Sequence, residues 1–391
     1  VTTGDDNVAI GSQALEDATT AGDNVAIGQY AMGNRVSGSN NVAIGVDAQY
    51  NSIGSNYNVS IGSFAGYNIT TGGASIFIGN KAGYANKTQG NAIAMGYEAM
   101  GGDAGTQEAS GIAIGYRAMV EVEDGSSGVA VGSSALNRLV GDYSVGIGGN
   151  AGQNATGSYN TFVGYSAGKG ASSAPYGSGE YNTAVGYLAH TSFTTGKQNI
   201  AVGWEAAKSL TTGYYSTFLG VRAGRSVTTG NTNTFIGWQS GYAVTTTSNK
   251  TAIGYRAGYA DGGAMDVHIG YEAGRNVTAG DNISIGRSAG QGYHGVGQTE
   301  FQSNTTNRYN VSIGSYAGQR VIGTKNIHVG YKAGMNASGS NNTFMGYEAG
   351  KGGTTSAPFS SGESNTAVGY NALAGFTTGG TNNAFGYGAG Q

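Results

Sequence analysis

Cysteine is absent from the 391 residues, and proline occurs only twice, at Pro175 and Pro358. Without thiols the chain has neither disulfide staples nor thiolate metal sites. Charge is scarce as well: 19 basic and 22 acidic residues are scattered along the chain and leave a net charge of −3. No basic tract tracks a phosphate backbone, so nucleic acid is not an expected partner. No apolar run approaches the roughly 20 residues of a membrane-spanning helix, and membrane insertion is not expected. No signal peptide is visible, and a chain that opens on Val1 reads as a processed piece.

Glycine is abundant instead, with 74 residues and no G-X-Y period, which excludes collagen. The glycines mark a repeat, N-V-A-I-G-x-x-A-G followed by a T-T-G or S-G turn, in 22 copies aligned on Gly11, Gly28, Gly45 and so on to Gly369 and Gly386. Most intervals are 16 or 17 residues. Columns are numbered from that glycine. Position −1 is apolar in every copy, and −3 is Val, Ile or Thr in all but the last, which has Asn383. Apolar residues spaced by two indicate a strand with one buried face, here expected to be the −1/−3 face. Position −2 is Ala, Ser, Gly, Phe or His, which suits a second, tighter surface. Position +3 is Ala except at Ser240, and −4 is Asn in 14 copies, as expected of stacked turn side chains.

These columns describe an all-β fold: a parallel β-solenoid or β-roll of about 22 coils with repeats of 16–17 residues, one continuous domain over 1–391. Coils stacked at about 4.8 Å would give a thin rod with a meagre core. Side-by-side association follows, as a homotrimer or filament, with the Ala/Phe/Ser column as the expected contact. Position +2 carries Lys81, Glu98 and Arg117 in successive copies, then Glu205/Arg222, Arg256/Glu272 and Lys332/Glu348, a charge ladder between neighbouring rungs.

Position +1 is aromatic in 12 copies, including Tyr97, Tyr116, Tyr165, Tyr187, Trp204, Trp238, Tyr255, Tyr271, Tyr331 and Tyr347. Such a strip would bind sugar faces, or its rings would stack on one another as a structural ladder. A residue type that recurs with the repeat serves the repeat, so the ladder is preferred. Insertions fall near 101–110, 168–181, 291–310 and 350–364, and a block is duplicated at 132–203 and 314–386. Loops on a solenoid often form its binding face. The binding candidates are Tyr293, His294, Phe301, Arg308 and Tyr309 in one insertion, with Tyr176 and Phe359 in the duplicated pair. Capping a groove or packing on a neighbouring chain is an equal alternative.

Catalysis finds no support. The histidines His190, His268, His294 and His328 show no paired-ligand spacing, and His268 and His328 sit in the −2 column as strand residues. Neither a cofactor nor a metal is expected. Carboxylates meeting across a chain interface are not excluded by sequence.

The N-V-A-I-G runs at 7–11, 24–28 and 41–45 resemble the head repeats of trimeric autotransporter adhesins, and N-T-A-V-G-Y-N-A-L at 365–373 resembles the Gly-rich shafts of bacteriophage tail fibres. The period here is longer than in those heads, and the heptad stalk and barrel anchor are missing. The resemblance implies trimerisation and attachment to a cell-surface glycan or protein receptor, outside the cell or on a virion. Two other classes remain: a structural extracellular filament, and an ice-binding solenoid. Thr pairs in turns, such as Thr211-Thr212 and Thr228-Thr229, argue against the last.

Overall fold

The computed structural model describes residues 4–34, 37–88, 90–102, 110–122, 127–173, 176–292, 307–353 and 360–391. They form two compact units, Val1–Gln198 and Asn199–Gln391. Each is a parallel β-solenoid, as the repeat requires, and no helix occurs among the described residues. The first unit holds eleven strands from Val8–Ile10 to Thr183–Val185, and the second eleven from Ile200–Val202 to Asn383–Phe385. Within each unit every strand pairs in parallel with the next copy, column on column, as in Val25↔Val42, Ala26↔Ala43 and Ile27↔Ile44. Strands are short, three to five residues, because each must turn within one coil.

The bend after each strand explains the invariant glycine. At Gly237 φ is +124°, and a Cβ there would meet the carbonyl oxygen of Gly254 at 2.6 Å. Glycine alone tolerates both conditions. Asparagines at −4 run up the inside of the turn. The Asn41 amide N–H donates to Asn24 Oδ1 at 3.0 Å, and the Asn58 N–H donates to Asn41 Oδ1 at 3.0 Å. Each side chain thereby satisfies a buried backbone donor of the adjoining rung.

The interior is not where the alternation suggested. Position −2 points inward: Ala26, Ala43, Phe77, Phe162, Phe218, Phe235 and Phe344 are all fully buried. Positions −3 and −1 point outward, so that Ile61, Ile147, Leu219, Ile313 and Met345 stand in solvent at 38–45% exposure. The expectation that −1/−3 form the core, and that the Ala/Phe/Ser column forms the chain contact, is therefore corrected. Positions −3 and −1 share one face of the strand and −2 has the other, and it is the −2 face that the coil turns inward.

What fills it is a second column, +4, which the alternation does not reveal. Where −2 is large, +4 is glycine, in the pairs Phe77/Gly83, Phe162/Gly168, Phe235/Gly241 and Phe344/Gly350. A Cβ at Gly83 would lie 2.3 Å from the Phe77 ring. In six of the eleven rungs with alanine at −2, Leu or Met at +4 supplies the bulk, as in Ala113/Met119, Ala130/Leu136 and Ala367/Leu373, all buried. These +4 residues sit at positive φ, for example Met119 at 51° and Leu136 at 44°. A third inward column at +7, with Ile69, Leu139, Leu210, Val227 and Val244, closes the core from the other side. Seven rungs have small residues at both sites, and a small cavity lies between two successive ones, Ser284/Gly290 and Ser312/Gly318.

His190 occupies the +4 site of the Ala184 rung, fully buried, with neither ring nitrogen hydrogen-bonded. Burial pulls its pKa down to about 4. The folded imidazole therefore stays neutral while the unfolded one titrates near 6.5, and stability falls as pH drops from 6.5 towards 4. Leucine, the residue of the Ala130 rung, removes both the unpaired nitrogens and the titration. Urea unfolding should show His190→Leu gaining about 2 kcal/mol more over the parent at pH 5 than at pH 7. An equal difference at the two pH values would contradict a buried neutral ring.

Candidate interaction surface

The outward face of each unit is built from three columns. Positions −3 and −1 stand on the strand, and +1 follows the glycine bend. None of the −3 and −1 residues is charged in any copy. Seven of the −3 residues are threonines, including Thr217, Thr234 and Thr251 on adjacent, in-register strands. The turn threonines are thus only part of the threonine pattern. The strand column pairs each Thr with Val, Leu, Ile or Met two residues on, not with a second Thr.

The aromatic rings at +1 stack along the rungs. Trp238–Tyr255 and Tyr255–Tyr271 both lie 4.8 Å apart at 11° and 6°, and Tyr347–Tyr370 lies 4.9 Å apart at 5°. Tyr97–Tyr116, Tyr165–Tyr187 and Tyr331–Tyr347 are stacked in the same manner. Ring faces are therefore covered by neighbouring rings and ring edges face solvent. Rings stacked on one another in this way form a ladder, while a sugar needs an open face. Shorter stacks form at −5, with Tyr143–Tyr159–Tyr181, and at +5, with Tyr50–Tyr67–Tyr84.

Of the +2 charges, Arg117 and Glu98 meet at 3.4 Å, Arg222 and Glu205 at 3.0 Å, and Lys332 and Glu348 at 3.5 Å. Arg256 instead donates from Nε to Gln239 Oε1 at 2.9 Å. Glu205 gathers Lys208, Arg222 and Arg225. Burial alone would raise its carboxyl, but hydrogen bonds from Arg225 and Lys208 outweigh that and hold it at about 2.

The loop candidates divide. Tyr293, His294, Phe301 and Phe359 lie outside the described residues. Tyr309 is exposed, and the Arg308 guanidinium lies 5.1 Å from its ring while bonding Asp281 at 2.8 Å. Tyr176 carries the Arg138 guanidinium 4.6 Å from its ring centre.

One cluster escaped the sequence reading. In two successive rungs the asparagine column holds Lys250 and then Asp266, the +7 column holds Asp261, and −2 holds His268; all four are fully enclosed. Lys250 Nζ lies 2.5 Å from Asp261 Oδ2 and 3.5 Å from Asp266 Oδ2, and His268 Nε2 is 2.8 Å from Asp261 Oδ2. Burial would raise the Asp261 carboxyl, yet Lys250 and His268 outweigh it and hold it low. Burial and the Asp261 charge push Asp266 up to about 6. Asp261, Asp266 and His268 bring ligand atoms within 4.8 Å of one another, as a metal site would. The cation among them is the Lys250 ammonium, so the cluster reads as an internal charge lock. The departures from the Asn column were visible in sequence, but not that they meet Asp261.

Compared with models of protein families, curated proteins and solved structures, the chain matches none.

Proposed function

We propose that this protein is a fibrous attachment protein, in the manner of an adhesin head or a tail-fibre shaft, acting outside the cell or on a virion. The observation that carries this reading is the uncharged outward strand face. Contiguous apolar patches beyond a few hundred Å² mark interaction surfaces on soluble proteins. Here the patch recurs with every rung of both units, and its most economical cover is the same column of another copy. Self-association thus runs through −1 and −3 rather than through the buried −2 column. The trimer stands on the resemblance to trimeric heads and shafts; a stacked architecture of repeated rungs suits display and reach. Insertions and charged strips then meet the target surface.

Light scattering on the intact chain tests this. The parent should show a mass of three chains, and a variant with Leu219→Lys, Ile253→Lys and Ile285→Lys should fall to one chain with an unchanged β-sheet spectrum. A monomeric parent would remove the reading. Open-ended polymers of the parent would favour the structural filament. Thermal hysteresis would point to ice as the partner of the Thr/Ile face.

A further inference from the structure

The second unit carries 12 basic residues against eight acidic ones, whereas the first carries seven against 14. Three of the 12 stand on one strip, where Glu272 of the rung between the last two is taken up by Arg275 at 2.8 Å. Arg222, Arg256 and Arg287 follow one another at every second rung beside the +1 aromatic column, at intervals of about 9.6 Å for strands stacked at about 4.8 Å. Each is held against a ring. Arg222 lies 4.3 Å from the centre of Trp204, Arg256 lies 5.0 Å from Trp238 and 5.6 Å from Tyr255, and Arg287 lies 5.8 Å from Tyr271 and 5.4 Å from Tyr316. Guanidinium groups parked on aromatic rings lose little further freedom on binding and keep N–H groups for a carboxylate or sulfate. Glu205 serves Arg222, but among the described residues no carboxylate ion-pairs with Arg256 or Arg287. Lys250, Asp261 and Asp266 of the same rungs are enclosed and add nothing to this surface.

We propose that this strip of the second unit binds an acidic polysaccharide, a linear polymer bearing carboxylate or sulfate groups. The inference rests on the attachment reading and names its partner. A periodic row of well-separated cations on an open surface matches a polymer with periodic single charges. One site alone would hold an isolated anion weakly, whereas a chain engaging several at once gains by effective concentration. Duplex DNA, with one charge per about 1.7 Å, calls for a far denser basic surface than three arginines on alternate rungs.

The test uses the intact chain over immobilised polygalacturonate, dextran sulfate, neutral dextran and duplex DNA. Binding to the two anionic polysaccharides, lost at high salt and absent on neutral dextran, is expected. Arg256→Gln with Arg287→Gln should weaken it at least tenfold while the melting temperature and the oligomeric mass stay at parent values. Arg256→Lys with Arg287→Lys keeps the charge but not the fork, and should fall between the two. No binding at low salt, equal binding by the double Gln variant, equal binding to neutral dextran, or tighter binding to DNA would each overturn the proposal. Adhesion to whole cells is scored separately. If the double Gln variant adheres as the parent does, the attachment reading stands and the acidic polysaccharide falls.

Discussion

Replacing Lys250 with Met is expected to lower the stability of the second unit by about 3–5 kcal/mol, the cost of leaving a buried ion pair half-made. Lys250 Nζ is the only ammonium within reach of Asp261 and Asp266 among the described residues, at 2.5 and 3.5 Å, and both carboxylates are fully enclosed. Without it Asp261 retains only His268 as a side-chain partner. The lock itself need not contribute stability, because desolvating its charges offsets most of their attraction. Returning all four positions to their column types, as Lys250→Asn, Asp261→Val, Asp266→Asn and His268→Phe, should therefore recover the loss. Gly274 already leaves space for the ring, since a Cβ there would lie 2.1 Å from the His268 imidazole. Urea unfolding of parent, single and quadruple variants decides the matter. A Lys250→Met variant as stable as the parent would show that the charges are not held together in solution. If the quadruple variant recovers the loss, the charges of the cluster add no net stability to the folded unit.

The second large effect concerns the reciprocal −2 and +4 columns. Phe344→Ala should cost about 3–5 kcal/mol through lost burial and the cavity left behind. Gly350→Leu should also be severe, because its Cβ would sit 2.2–2.4 Å from three atoms of the Phe344 ring. Together the two changes recreate the Ala367/Leu373 arrangement of the next rung, where Leu373 holds φ at 51°. The double variant should recover most of the loss, with a coupling of about 1–3 kcal/mol in a double-mutant cycle. Additive losses would show that the two columns do not share one space. Successive Ala rungs with bulk at +4 occur at Ala113/Met119 and Ala130/Leu136, so stacking two of them is compatible with this backbone.

Much of the fold is legible in the residues. The 16–17-residue period, the strand before each glycine and the in-register stacking follow from repetition: identical turns bury their edges best by pairing with copies of themselves. The trade between −2 and +4 is also written in the sequence, Phe always with Gly and Ala in six of eleven rungs with Leu or Met. It acquires meaning only once both are known to point into one cavity. The candidate surface was less legible. Arg222, Arg256 and Arg287 are far apart along the chain and fall in two different columns, and only the coil brings them onto one strip beside the aromatic rings.

The sequence by itself determined the architecture, the register and the absence of charge from the strand columns. Which face is inside was decided by the tertiary structure. An alternation of period two separates two faces of a strand without saying which is buried, and the usual inference takes the more hydrophobic one. Here both faces are apolar, Val and Ile on one and Ala and Phe on the other. Closing the coil resolves this by volume: between them, −2 and +4 hold at most one large side chain per rung. The β-branched columns are left outside for another surface to cover.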